Sequence, residues 1–120
     1  MKKYTIIDPD WSLRTNLMAF GFDCDEGWHP MIYELLDKIQ AIVDENPEYE
    51  DLRVTQIKEK YGGLRVYLNF DPPEISDMID EYEEKSYETC EICGAKGKTR
   101  EDRRWYKTLC DDCFQMWMKR

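Results

Sequence analysis

The chain has 120 residues, of which 42% are hydrophobic and 13% aromatic. This content is sufficient for a folded core, and the length suits one domain or one domain with a small appended module. No apolar run approaches the roughly 20 residues that span a bilayer, which argues against a transmembrane segment and a membrane partner. The basic start at Met1-Lys2-Lys3 is followed by no apolar segment of the signal-peptide type, so we expect a cytoplasmic protein.

The formal net charge of −9 is unevenly distributed along the chain. Residues 1–88 carry 9 Lys and Arg against 21 Asp and Glu, a net charge of −12, whereas residues 89–120 carry 8 against 5, a net charge of +3. This shift predicts an acidic body over residues 1–88 and a separate module over residues 89–120. An acidic body repels nucleic acid and favours basic partners, although its charge can also serve solubility alone.

Two helices are predicted in the first half of the chain. The first begins at Asp8-Pro9, a good N-cap followed by a favoured first helical residue, and ends at about Phe20. The second runs from Pro30 to about Glu45, because Pro47 prevents continuation. A single apolar stripe marks its core face: Ile32, Leu35, Leu36, Ile39, Ile42 and Val43.

The predicted loop over residues 22–29 contains Cys24 and His29 among several carboxylates. A second metal site could be drawn here, but the ligand types are mixed and their spacing is irregular. We therefore interpret Cys24 as an isolated thiol and His29 as a residue that caps or orients the following helix.

A β-hairpin is predicted after the acidic turn at residues 46–51. Its strands would cover residues 52–60 and 64–70, joined by a Gly62-Gly63 turn in which both residues can adopt positive φ. The expected cross-strand pairs are Tyr61–Leu64, Ile57–Leu68 and Thr55–Phe70. The opposite face is polar and carries Gln56, Lys58, Lys60, Arg65, Tyr67 and Asn69. Two interpretations of that face stay open: docking of an anionic partner or phosphate backbone, or a solvated sheet face.

The next helix is predicted to begin at a capping box, with Asp71 at the N-cap and Glu74 three residues later. Its apolar face consists of Ile75, Met78, Ile79 and Tyr82, and it ends near Ser86. The opposite face is strongly acidic, which is typical of a solvated helix surface.

The most specific motif in the chain is a pair of C-x-x-C sequences, Cys90 to Cys93 and Cys110 to Cys113, separated by sixteen residues. Each pair can place two thiolates on one metal ion, and two pairs complete a tetrahedral shell that suits structural Zn²⁺. Gly94 allows the backbone to turn under the metal. Because all four positions of the shell are filled, the motif argues against catalytic zinc.

The zinc module is predicted to resemble a treble-clef finger. After the first knuckle, residues 95–103 form a loop, residues 104–109 form a strand, and a short helix begins at Cys110. The fold class is therefore α+β, with helices packed on a β-hairpin and a C-terminal treble-clef-like zinc module with four cysteine ligands. The module also gathers side chains suited to nucleic-acid binding: Lys96, Lys98, Arg100, Arg103, Arg104 and Lys107, with Trp105 and Tyr106 for stacking.

No catalytic constellation stands out in the sequence. The chain has one histidine, no Ser-His-Asp arrangement, no glycine-rich dinucleotide motif and no P-loop. The leading hypothesis is a non-enzymatic accessory protein that binds and modulates another protein. The alternative is a nucleic-acid-binding zinc-finger module that acts through the module's cations and through Lys58, Lys60, Arg65 and Tyr67 of the hairpin.

Several motifs resemble those of an uncharacterised family of small zinc-binding proteins encoded by bacteriophages and prophages. They are Gly27-Trp28-x-Pro30, Lys58-Glu59-Lys60-Tyr61-Gly62-Gly63-Leu64-Arg65, Thr89-Cys90-Glu91-x-Cys93-Gly94 and Leu109-Cys110-x-x-Cys113. The resemblance covers residues 27–113 and implies a phage or prophage setting. In that setting, the partner of our leading hypothesis is a host protein, and the expected cytoplasm is that of the host cell. It implies no activity.

Overall fold

The structure, a computed structural model, describes residues 5–6, 24–102 and 105–118, with the side chains of Asp102 and Trp105 left out. Three helices are present in these ranges: α1 (His29–Glu45), α2 (Pro73–Ser86) and α3 (Asp111–Met118). Two antiparallel hairpins are formed by β1 (Val54–Lys60) with β2 (Gly63–Leu68), and by β3 (Lys98–Asp102) with β4 (Trp105–Leu109). The predicted α+β class is confirmed. The helix predicted over residues 8–20 lies outside the described residues, as do Arg103 and Arg104.

Helix α1 supplies the largest part of the core. Its predicted apolar stripe is confirmed, because Ile32, Leu35, Leu36 and Ile39 are fully buried and Val43 is nearly so. Trp28, in a single 3-10 turn (Glu26–Trp28) before the helix, is also fully buried. Full burial of each large aliphatic side chain contributes about 1.5–3 kcal/mol, so this stripe fixes α1 against its neighbours.

The other side of the core comes from the first hairpin and α2. Ile57, Leu64 and Val66 of the hairpin pack in the same buried cluster as Ile75 and Tyr82 of α2. A 3-10 turn at Pro47–Tyr49 connects α1 to the hairpin. The two helices and the hairpin therefore enclose one apolar core.

The turn of the first hairpin lies one residue earlier than predicted. Lys60 pairs with Gly63, so Tyr61 and Gly62 form the turn, with φ of 55° and 84°. The prediction of a turn at Gly62-Gly63 is therefore wrong. A Cβ at Gly63 would lie 2.5 Å from the hydroxyl of Tyr87, and a Cβ at Gly62 would lie 3.0 Å from Thr99 Cγ2. Both glycines are needed for close packing, and this packing places Tyr61 in a left-handed conformation that a bulky residue rarely adopts.

The hairpin nevertheless keeps the predicted division into faces. Moving the turn by one residue moves each cross-strand partner by two positions, and side chains alternate with a period of two. The observed pairs on the buried face are Ile57–Val66 and Glu59–Leu64, and those on the polar face are Lys58–Arg65 and Gln56–Tyr67. The predicted Thr55–Phe70 pair is absent, because the register shifts beside Thr55 and β2 ends at Leu68.

Helix α2 begins later than its predicted capping box requires. Its N-cap is Pro72, which has no side-chain acceptor, and no side-chain cap hydrogen bond is formed. Glu74 instead accepts a hydrogen bond from the hydroxyl of Tyr49. The capping-box prediction is therefore wrong: Pro73 keeps the preceding Pro72 in an extended conformation, with ψ of 134°, so the helix begins at Pro73 and Asp71 lies outside the cap position.

The C-terminal segment contains one more strand than predicted. The sequence predicts a loop over residues 95–103, but β3 occupies most of this stretch and pairs with β4 from Lys98–Leu109 to Asp102–Trp105. The polar residues of β3 supply the backbone hydrogen bonds that β4 requires. Charged side chains are well suited to such an exposed edge strand. Of the helices described, none has the length and apolar character needed to cross a membrane.

Candidate metal centre

The first cysteine pair lies on a tight knuckle before the second hairpin. Thr89 and Lys96 form an isolated bridge, and the Cys90 N–H donates to the Ala95 carbonyl at 2.7 Å. Gly94 closes the knuckle with φ of 84°, and its N–H donates to the Cys90 carbonyl at 2.9 Å. The predicted role of Gly94 in the backbone turn is consistent with this left-handed conformation.

The second cysteine pair lies where β4 leads into α3. Cys110 directly follows the strand, and Cys113 lies in the first turn of the helix. The Cys113 N–H points at Cys110 Sγ from 3.4 Å, and the Phe114 N–H donates to the Cys110 carbonyl at 2.9 Å. The Cys113 amide, at the N-terminus of the helix, favours negative charge on the Cys110 sulfur.

The fold brings all four cysteines together. The sulfur atoms of Cys90, Cys93, Cys110 and Cys113 lie within 4.8 Å of one another, and Cys93 Sγ is 3.6 Å from Cys110 Sγ. Four sulfurs at the Zn–S bond length of about 2.3 Å would be separated by about 3.8 Å in a regular tetrahedron. The cluster can therefore hold a metal ion. In the part of the chain that the structure describes, no other group of His, Cys, Asp and Glu meets the same criterion.

The sulfur environment favours ionisation at the buried ligand. Burial would raise the pKa of Cys90, but the backbone amides of Cys110, Cys93 and Ile92 lower it to about 7. Burial and hydrogen bonds to the other three cysteines raise the pKa of Cys113. This opposition is expected when four thiols share one site, because their charges repel until a cation joins them.

Cys24 does not belong to the cluster. It is half-buried and packs against the apolar core. His29 is the first residue of α1. Its predicted role in capping or orienting that helix stays a prediction.

The knuckle is packed tightly against the segment that precedes α1. The Gly27 N–H donates to the Glu91 carbonyl at 2.7 Å, and the Trp28 Nε1–H donates to the Thr89 carbonyl at 2.8 Å. A Cβ at Gly27 would collide with the carbonyl oxygens of Cys90 and Glu91. The two residues that flank Cys90 are therefore hydrogen-bonded to the segment that carries the buried Trp28.

Three charged side chains form a triad at the contact between the knuckle and the segment before α1. Lys107 Nζ lies 3.0 Å from Asp25 Oδ2 and 3.2 Å from Glu91 Oε1. The Glu91 side chain is only 3% exposed, and its other oxygen accepts the Asp25 N–H at 3.0 Å. Burial raises the pKa of Glu91, while the Asp25 N–H and Lys107 act in the opposite direction. The triad thus joins β4, the knuckle and residues 24–28.

Arg100 also forms contacts within the protein. Its Nη2 lies 2.6 Å from Asp111 Oδ1 and donates to the Leu109 carbonyl at 3.2 Å. Its guanidinium carbon lies 4.5 Å from the centroid of the Phe114 ring. The hydrogen bond from Arg100 lowers the pKa of Asp111. Arg100 therefore ties β3 to the start of α3.

The remaining predicted binding residues are distributed over two regions. Lys96, Lys98 and Arg100 line a cavity of about 410 Å³ beside Cys110. On the polar face of the first hairpin, Arg65 forms a 3.1 Å ion pair with Glu83, while Tyr67 is 40% exposed. Of the two hairpin lysines, Lys60 is exposed and Lys58 is half-buried.

The turn of the first hairpin lies against β4 of the second hairpin. The Thr108 hydroxyl donates to the Gly62 carbonyl at 2.7 Å, and the rings of Tyr61 and Tyr106 meet edge to face at 6.1 Å. Both tyrosines remain largely exposed. These two contacts therefore join the turn of the first hairpin to the second hairpin.

Sequence reasoning identified the four cysteines but missed the contacts of Gly27, Asp25 and Glu91. Gly27 and Asp25 lie more than sixty positions from the knuckle in the sequence, so no local pattern links them to it. Only Glu91 could have been identified from the sequence, because an acidic residue inside a C-x-x-C knuckle can pair with a nearby lysine.

No family model, no curated protein and no solved structure matches this chain.

Proposed function

We propose that the four cysteines bind one Zn²⁺ ion and that its role is structural. Two C-x-x-C knuckles that place four sulfurs within 4.8 Å of one another support this assignment, because the soft tetrahedral shell suits zinc and leaves no position for water. Elemental analysis of protein purified without added metal should find zinc. Iron as the dominant metal in aerobically purified protein would contradict the assignment.

We propose that the protein as a whole is a non-enzymatic accessory protein that binds and modulates a host protein, in a phage or prophage setting. The motif resemblance supports the setting. The observation that carries protein binding is the exposure of large apolar side chains around the metal centre. Met116 is 71% exposed, Met118 is 51% exposed and Ile92 is 37% exposed. Flexible, polarisable methionines are common on surfaces that bind other proteins.

Nucleic-acid binding is the second candidate, and the cavity lined by Lys96, Lys98 and Arg100 favours it. Two charge arguments weigh against it. Arg100 and Lys107 form ion pairs with Asp111 and with the Asp25–Glu91 pair. A Zn²⁺ ion with four thiolates also carries a net charge of −2 beside the cavity, so the local potential is far less positive than the lysines alone suggest.

Affinity capture and gel shifts together distinguish the two candidates. Zinc-loaded protein should capture one reproducible partner from host lysate, and the purified pair should bind in a calorimeter. The same protein should not shift single-stranded or duplex nucleic acid at low salt, where electrostatic binding is strongest. A clear shift that disappears in a Lys96→Ala/Lys98→Ala variant, with no captured protein, would overturn the proposal in favour of the nucleic-acid alternative.

A further inference from the structure

A cavity of about 360 Å³ lies beside the metal module and shares no lining residue with the cavity formed by Lys96 and Lys98. It forms where the segment before α1 meets the knuckle, β4 and α3. Among the described residues, its lining consists of Asp25, Glu26, Ile92, Lys107 and Trp117. Nothing in the metal centre requires this opening, since none of the four ligands lines it.

The charge of the cavity is negative. The ammonium group of Lys107 is balanced by Glu91, which lies beneath it and is 3% exposed. Asp25, whose carboxylate also pairs with Lys107 at 3.0 Å, and Glu26 are both exposed, so the formal charges of Lys107, Glu91, Asp25 and Glu26 sum to −2. Among the described residues, Glu26 takes part in no ion pair. Two rim carboxylates repel phosphate groups and attract a cation.

The remaining wall of the cavity is apolar. Ile92 is 37% exposed there, and Trp117 contributes an indole ring. An indole is the best aromatic partner for a guanidinium or ammonium group. A long side chain with an aliphatic stem and a cationic head matches this combination, because its stem can cover Ile92 while its head reaches the carboxylates.

We propose that this cavity receives an arginine- or lysine-bearing segment of a partner protein, with Glu26 and Asp25 pairing with the cation and Trp117 stacking on it. The inference rests on the proposed protein-binding function and specifies the chemistry of the partner. Charge complementarity supports a basic partner. The cavity carries the carboxylates of Asp25 and Glu26, and the whole chain has a formal net charge of −9. A volume near 360 Å³ suits one or two side chains rather than a folded element.

The test uses the zinc-loaded full chain and a random peptide display library as the probe. Enriched peptides should share a basic residue at a fixed position, and synthetic copies should quench or shift the tryptophan fluorescence. Glu26→Gln should weaken their binding about fivefold, as expected for one partly exposed charge contact. Trp117→Leu should weaken it by a similar factor of about five. Metal content and thermal unfolding check that both variants remain folded.

Glu45→Gln is the matched control. It removes a carboxylate at the far end of α1, roughly 25 Å from the first turn of a 17-residue helix, and should leave peptide affinity unchanged. Enrichment of peptides without basic residues, an absence of enrichment, or equal affinity for the Glu26→Gln variant would each overturn the cavity assignment. If the chain dimerises and Glu26→Gln abolishes the dimer, the cavity assignment would also be overturned, because the occupant would then be a second copy of the chain. Capture of a partner that Glu26→Gln leaves intact would reject this site and retain the proposed function.

Discussion

Gly63 lies against the ring of Tyr87, at a distance that leaves no room for a side chain. This contact determines which residues form the turn of the first hairpin. If Gly63 moved into the turn, the next residue along β2 would bring its Cβ against Tyr87. The register is therefore set by packing between β2 and the end of α2, and Tyr61 takes the left-handed turn position as a consequence.

We predict that Gly63→Ala destabilises the protein by about 1–3 kcal/mol, the usual range for overpacking a close contact. Chemical denaturation of the zinc-loaded protein measures the effect. In a Tyr87→Leu background the same substitution should be much less damaging, because the colliding ring is absent. Equal costs in the two backgrounds would show that Tyr87 does not set the register.

Lys107 provides a second test at the scale of single residues. Lys107→Met leaves Glu91 buried without its cation and should destabilise the zinc-loaded protein by roughly 2 kcal/mol, because Lys107 is 20% exposed and the penalty is smaller than for a fully buried pair. Replacing both residues by Met should recover most of the loss. The control is Lys38→Met, whose ion pair with Glu34 is about half exposed, so that the substitution should change stability much less. A similar cost for both variants would contradict the triad's role.

Among the structural elements, the knuckle and the segment before α1 act as one unit. The Gly27 amide bonds to the Glu91 carbonyl, and the Trp28 indole bonds to the Thr89 carbonyl. Trp28 is itself fully buried in the core next to α1. A change at Gly27 should therefore reach the metal ligands, although Gly27 is more than sixty residues from Cys90 in the sequence.

We predict that Gly27→Ala accelerates zinc transfer to a chelator by at least about tenfold, corresponding to roughly 1.4 kcal/mol of lost stabilisation. The added Cβ collides with the backbone carbonyls of Cys90 and Glu91, which carry the knuckle. A colorimetric zinc indicator gives the rate. Thr55→Ala, at an exposed irregular position of β1, is the control and should transfer zinc at the wild-type rate. Unchanged transfer from the Gly27→Ala variant would show that the knuckle does not depend on this contact.

Across the whole molecule, periodic and spaced patterns could be predicted from the sequence, whereas long-range packing could not. The stripe of α1 follows from helix geometry, and the two faces of the first hairpin follow from strand alternation. The four cysteines follow from the spacing of metal ligands. The turn at Tyr61 depends on Tyr87 and Thr99, and the triad depends on Asp25 meeting Lys107, so neither has a local signal.

The two segments on either side of residue 88 share these contacts, so the metal should stabilise more than the module that contains its ligands. Structural zinc sites in small domains contribute on the order of 10 kcal/mol, which exceeds what the short β3–β4 hairpin and α3 can supply alone. Removal of the metal is therefore expected to loosen the start of α1 as well as the knuckle. The division into an acidic body and a zinc module stays a prediction.

The most direct test of a closed four-cysteine centre is native mass spectrometry of the purified chain. We predict one Zn²⁺ per chain, with a mass that corresponds to the replacement of two protons by the ion, and no zinc retained by a Cys90→Ser variant under the same conditions. A chain that carries no metal, or a Cys90→Ser variant that retains a full equivalent of zinc, would contradict the account.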